Sequence, residues 1–162
     1  IASSRNFDVL VSGSALHWIS PMTSALQKAA GLVRSGGLAA IAVMLDGTLA
    51  ELHTARVAVA PDKPARGRLP NDVEFETAAR SIAGSRVRRL EFTTAQYDLP
   101  SATDVLRSVH DMGVTGGEVS RSEIPLNRRE LAALTAWYDQ AFATSRGVRV
   151  TFRVGYLLLE VD

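Results

Sequence analysis

Apolar residues along this chain come in two rhythms, short unbroken runs and stripes at helical spacing, and the two alternate. Phe7-Asp8-Val9-Leu10-Val11 carries the first unbroken run, the pattern of a strand covered on both faces. Ser20 and Pro21 then supply an N-cap and a proline for the first helical turn. Met22, Ala25, Leu26, Ala29, Leu32 and Val33 follow at helical spacing, and Gly36-Gly37 reads as the stop before a second apolar strand, Leu38 to Met44. Strand, helix and strand of these lengths predict a βαβ unit, and with it a parallel sheet with a right-handed crossover.

Capping signals carry the pattern onward. Thr48 with Glu51 predicts a capping box for a short helix through about Val59, bearing Leu49, Leu52 and Arg56. The segment Pro61 to Pro70 holds three prolines and three basic residues in ten positions and reads as a loop. Asn71 and Glu74 cap a helix with Phe75, Ala78, Ala79 and Ile82 on one side, closed by Gly84. Leu90, Phe92, Thr94 and Gln96 alternate with Glu91, Thr93 and Ala95, as in a strand with one drier face. Ser101 with Asp104 and Asn127 with Glu130 open two more helices. Their stripes are Val105, Leu106, Val109 and Met112, closed by Gly113, and Leu131, Leu134, Tyr138, Ala141 and Phe142. Val148 to Val161 alternates and then turns wholly apolar, giving four principal strands and five helices in all.

Composition narrows the picture further. The 162 residues, 46% hydrophobic and 22% charged, suffice for one globular domain with a real core. Lys+Arg 18 against Asp+Glu 17 leaves no overall field to recruit nucleic acid or a membrane surface. Cysteine is absent, which removes disulfides, thiolate metal sites and Cys nucleophiles and fits a reducing, cytoplasmic setting. No apolar run is long enough to span a membrane, and no signal-peptide pattern is present. His17, His53 and His110 have no metal-ligand spacing among themselves, so no metal is expected.

Several segments, read in order, resemble the malonyl-acyl-carrier-protein O-methyltransferases of biotin synthesis, within the class I S-adenosylmethionine-dependent methyltransferases. Phe7 to Trp18 is similar to that family's fourth strand and following loop, and Leu32-Val33-Arg34-Ser35-Gly36-Gly37 to the superfamily's Lys-Pro-Gly-Gly turn. Asp46-Gly47-Thr48-Leu49-Ala50-Glu51-Leu52-His53 resembles the more discriminating Gly-Ser/Thr-Leu-x-Glu-Leu signature. Gly67-Arg68-Leu69-Pro70 stands where the family has an Asn-Arg-Phe stretch. Leu106 to Gly113 resembles Leu-Arg-Ser-Leu-Lys-x-Ile-Gly, and Leu126 to Val161 follows the last helix and strand. Two departures stand out: Gly13 replaces a common Asn, and Gly116-Gly117 replaces a more polar stretch.

The resemblance implies an α/β fold, the C-terminal half of a Rossmann-like class I sheet with the last strand antiparallel and helices inserted around 47–84. It also implies that the glycine-rich loop and first strands lie outside this chain, which begins at Ile1 and enters its first strand almost at once. The strand at Phe7 would then lose its neighbour. An apolar edge of that kind predicts a complementary N-terminal half, a swapped homo-oligomer or poor solubility.

Methyl transfer from a sulfonium needs little acid–base machinery, because alignment in a water-poor pocket does most of the work. No catalytic residue is assigned on that ground. By resemblance, Ser12, Gly13 and Ser14 would lie against S-adenosylmethionine; Gly13 equally suits a tight turn. His17 and Trp18 suit either a wall of the transfer site or a half-buried packing pair. A malonyl thioester ends in a carboxylate that is also the nucleophile, and arginine holds such a group in a planar, two-pronged way. Arg68 is the candidate, with Arg66 and Lys63 as substitutes and a solvated loop arginine as the plainer reading. Arg107, with Arg86, Arg88 and Arg89, would form a patch for an acidic acyl carrier protein or acyl thioester, or else a solvated charged face.

The expected function is methylation of the free carboxylate of malonyl-acyl carrier protein, with the isolated chain inactive. A non-catalytic half-domain that binds a carrier protein or partner chain is the alternative. A related small-carboxylate O-methyltransferase is another, suggested by Gly13 and Gly116-Gly117.

Overall fold

The computed structural model describes residues 7–63, 68–112 and 124–162. Arg66, Gly67, Gly113 and the Gly116-Gly117 pair lie outside the described residues. Strands β1 (Phe7–Gly13), β2 (Val33–Met44), β3 (Ser85–Leu99), β4 (Ala143–Thr144) and β5 (Gly147–Val161) form one sheet in the order β1-β2-β5-β3, with β4 paired to β5. Five helices accompany them: α1 (Met22–Ala30), α2 (Ala50–Val59), α3 (Asp72–Arg80), α4 (Ala102–Asp111) and α5 (Arg128–Ala141). A single 3-10 turn spans Leu16–Trp18.

The predicted βαβ unit is present: β1 and β2 run parallel, joined through α1. The final strand is antiparallel to β2, placing Ile41 opposite Leu157 and Ala42 opposite Tyr156. Against β3 it also runs in the opposite sense, since Asp162 donates to the Gly84 carbonyl at one end and Gly147 abuts Leu99 at the other. The fold is thus α/β, with four long strands, the short β4 and five helices.

Local signals fared unevenly. Asn71 and Asn127 each close a full capping box, with Glu74 and Glu130 reaching back. Ser101 accepts from Asp104 N–H at the start of α4. Ser20 is not a cap; Pro21 occupies the N-cap of α1 and no side chain closes that end. Helix α1 ends at Ala30 with Gly31 at its C-cap, before the Gly36-Gly37 pair. That pair lies inside β2, where the pairing with β1 slips from Phe7↔Val33 to Val9↔Leu38. Thr48 and Glu51 form no box either. Leu49 takes the N-cap in a left-handed conformation, because Glu51 turns inward to a different partner. On α5, Leu134 and Tyr138 are buried as expected, whereas Leu131 and Ala141 face solvent.

The chain divides into two compact units. Unit 1 (1–46, 69–93 and 153–162) holds α1, α3, β1, β2 and parts of β3 and β5. Its core joins Leu26, Ala29 and Ala30 of α1 to Phe75, Ala78 and Ala79 of α3, over Ala39, Ile41, Val43, Leu157 and Leu159. Gly155 makes room for Phe75, since a Cβ there would come within 2.8 Å of its ring. Asp72 and Arg153 form an ion pair in the same unit. Unit 2 (47–68 and 94–152) packs α2, α4 and α5 around Ala55, Val105, Leu134, Tyr138, Val148 and Val150. There the Glu51 carboxylate, buried, accepts from Thr151 N–H at 3.1 Å and from the Thr151 hydroxyl. Tyr138 donates its hydroxyl to the Arg149 carbonyl at 2.6 Å. Burial first, then the nearby Glu51 and Asp139 charges, push the phenol well above its ordinary pKa. Among the described residues no helix is long and apolar enough to cross a membrane.

Candidate functional site

In open α/β sheets, ligands gather beyond the carboxyl ends of parallel strands. In unit 1 that end is where β1 runs out at Ser12 and Gly13. Gly13 still pairs with Ala42, and Ser14 N–H donates to the Ala42 carbonyl at 2.9 Å. Ser14 then takes a left-handed φ of 50°, which turns the chain sharply out of the strand and into the 3-10 turn. Gly13 and Ser14 are exposed and Ser12 is half-buried. Gly13 has no left-handed φ, and a Cβ built on it meets no atom within 4 Å. The tight-turn reading of Gly13 therefore lacks a geometric reason; the turn falls on Ser14 instead.

The 3-10 turn brings His17 back over β2. Met44 N–H donates to His17 Nδ1 at 3.4 Å, which leaves Nδ1 without a proton and puts the hydrogen of the neutral ring on Nε2. Burial holds the His17 pKa below its ordinary value. Trp18 stacks beside it with ring centroids 4.8 Å apart and a tilt of 43°, and keeps 36% of its surface exposed. The structure thus gathers Ser12, Gly13, Ser14, His17 and Trp18 at one strand end. His17 is a neutral, anchored ring there, suited to accepting or donating a hydrogen bond through Nε2.

The predicted basic residues are distributed differently. Arg68 is exposed, at the described edge of the proline-rich loop, and belongs to unit 2. Arg107, also in unit 2, donates to Asp104 at 2.7 Å on its own helix. In unit 1, Arg86 and Arg88 share Glu160, and Arg89 pairs with Glu91 at 2.7 Å. Each of these arginines therefore already faces a carboxylate. Lys63, offered as a substitute for Arg68, is engaged with Glu130 at 2.7 Å and is largely buried. Among the described residues no group of three or more His, Asp or Glu side chains comes together. Sequence reasoning overlooked the inward turn of Glu51 and the Tyr138 hydroxyl bond, both of which are structural.

This architecture is the C-terminal half of a Rossmann-like class I methyltransferase sheet. A crystal structure from Bacillus halodurans C-125, described as a candidate methyltransferase, matches it with a TM-score of 0.56 at 10% identity, over 96% of this chain and 64% of that one. That likeness speaks to the fold alone. No protein-family model matches the chain. Among curated proteins, the chain is similar to malonyl-[acyl-carrier protein] O-methyltransferases. It is 32% identical over 136 residues to the protein of Pseudescherichia vulneris, covering 83% of this chain and 52% of the relative. To that of Geobacter sulfurreducens it is 28% identical over 155 residues, covering 93% and 58%. The chain spans about half the length of the curated relatives it matches.

Proposed function

We propose that this chain is the acceptor-side part of an S-adenosylmethionine-dependent O-methyltransferase whose acceptor is the free carboxylate of a malonyl thioester on acyl carrier protein. The observation that carries this reading is the similarity to malonyl-[acyl-carrier protein] O-methyltransferases along 83% of the chain, at 32% identity. The opened end of β1 supports it.

The residues present suit one side of such a donor. Exposed backbone at Gly13 and Ser14, with open space where a Cβ would stand, lets a flat or extended ligand approach the strand end closely. When bound, S-adenosylmethionine supplies a methyl group already activated on sulfur. The remaining tasks are to hold the acceptor in line and to keep water away. Trp18 and the uncharged His17 provide an apolar wall that can still offer one hydrogen bond. Arg68 holds the acceptor carboxylate, and Arg107 contributes to carrier-protein attraction. The α2–α3 stretch, around 47–84, is a helical insertion in the methyltransferase domain.

Alone, this chain lacks the glycine-rich half of the donor pocket and should transfer no methyl group. The test is co-expression with the portion of the Pseudescherichia vulneris relative that this chain does not match, followed by assay of methyl incorporation into malonyl-acyl carrier protein. Transfer by the pair and not by the chain alone is the expected result. In that pair Arg68→Ala should raise KM about 10-fold or more, as loss of a charged hydrogen bond predicts, with Arg68→Lys recovering part. Transfer insensitive to Arg68 would remove it from the site, and a pair unable to use any malonyl thioester would end the reading.

A further inference from the structure

The two faces of the unit 1 sheet are equally apolar and unequally covered. Ala39, Ile41, Val43, Leu157 and Leu159 are buried under α1 and α3. The alternate positions Val11, Ala40, Ala42, Tyr156 and Leu158 instead line an open concavity of about 490 Å³. Val11 is 77% exposed, Val9 56% and Tyr156 45%. Strands that are apolar on both faces belong to sheets covered on both faces. Both helices of unit 1 pack on the same side. β1 also ends the strand order, so its outer backbone edge has no strand neighbour among the described residues.

We infer that this bare face and the β1 edge are a docking surface for the polypeptide that corresponds to the unmatched portion of the relatives. That polypeptide adds a strand along β1 and lays an amphipathic helix, apolar stripe inward, across Val11, Ala40, Ala42 and Leu158. The inference rests on the half-domain reading, not on the identity of the acceptor. Length supports the occupant, because the chain accounts for only 51–58% of each relative. Shape supports the helix. The floor is Ala40 and Ala42 of β2, between Val11 on β1 and Tyr156 and Leu158 on β5. Two inter-strand spacings separate those rims, roughly 10 Å, which matches the diameter of a helix with small side chains at the contact. Charge does not oppose it, because the charged lining residues Arg89 and Glu91 neutralise each other.

The test co-expresses the tagged 162-residue chain with the unmatched portion of the Pseudescherichia vulneris relative and weighs the purified product by light scattering. A one-to-one complex is expected, with slowed amide exchange along β1. Val11→Asp and Ala42→Arg, on the bare face, should each weaken the complex about 30-fold or more, the scale of a central interface residue. Val73→Asp, exposed on α3 outside the concavity, should leave it unchanged. Thermal melts of each variant alone check that it folds. Recovery of the tagged chain as a monomer without the second polypeptide overturns the inference, as does a complex indifferent to both face variants. A self-dimer that those variants disperse, and that the second polypeptide does not displace, makes a second copy the occupant and overturns it too. Methyl transfer is measured on the same samples. A face-dependent complex without transfer counts against the proposed function alone, and transfer that ignores Val11 and Ala42 counts against the docking surface alone.

Discussion

Unit 2 closes on itself and unit 1 does not. In unit 2 the buried polar groups find partners inside it: Glu51 on Thr151, Tyr138 on the Arg149 carbonyl, Asp139 on Ala102 N–H at 2.7 Å. Three helices wrap its core. In unit 1 the core is one-sided, two helices against one face of a sheet whose other face carries valine, alanine, leucine and tyrosine into solvent. The lesson is that internal completeness is a property of a region. The same polypeptide can be finished in one place and waiting for material in another.

The strongest way to probe that contrast is to empty each core in turn. Phe75→Ala removes the largest buried side chain of unit 1 and should cost about 3–5 kcal/mol, read from denaturant midpoints. A cost under about 1 kcal/mol would mean that the one-sided core is loosely packed, contrary to the fit of the Phe75 ring over Gly155. Glu51→Ala in unit 2 comes next. It leaves the Thr151 N–H and hydroxyl without their acceptor and should cost about 1–3 kcal/mol, with Glu51→Gln restoring part of it. No loss for the alanine variant would show that the buried acid is not what ties α2 to β5.

The smallest effect is a pH dependence centred on His17. Its folded pKa is depressed by burial, so below the ordinary value of 6.5 the unfolded chain takes up a proton that the folded chain refuses. Stability should therefore fall as the pH drops from about 6.5 toward the depressed pKa, then level off. His17→Gln, which can still accept from Met44 N–H, should lack that part of the curve. Equal pH profiles for the two proteins, measured by denaturant titration between neutral and mildly acidic pH, would dismiss His17 as the source.

Much of the fold was legible because it is written in local signals. The Asn71 and Asn127 capping boxes need only residues three apart, and both formed as the spacing predicted. Long-range competition defeated the Thr48–Glu51 box: a glutamate that can reach a buried threonine one hundred positions away does not stay to cap its own helix. Gly36-Gly37 misled for a related reason, since glycine pairs serve irregular strand entries as readily as helix ends. The first strand read as buried because its apolar run carries no record of whether a neighbour is present. The strand-end cluster at Ser12 to Trp18 was legible from chain order alone, whereas the hydrogen bond that fixes the His17 tautomer was not.

Gly147 carries a consequence for how the chain can vary. Its φ of 138° already disfavours any side chain, and a Cβ there would stand 2.1 Å from the Leu99 carbonyl oxygen. Even alanine would have to force the last residue of β3 away from the first residue of β5, unfastening that seam from its end. Drift at this position is thus closed by two independent locks, and a conformational remedy for one leaves the other shut.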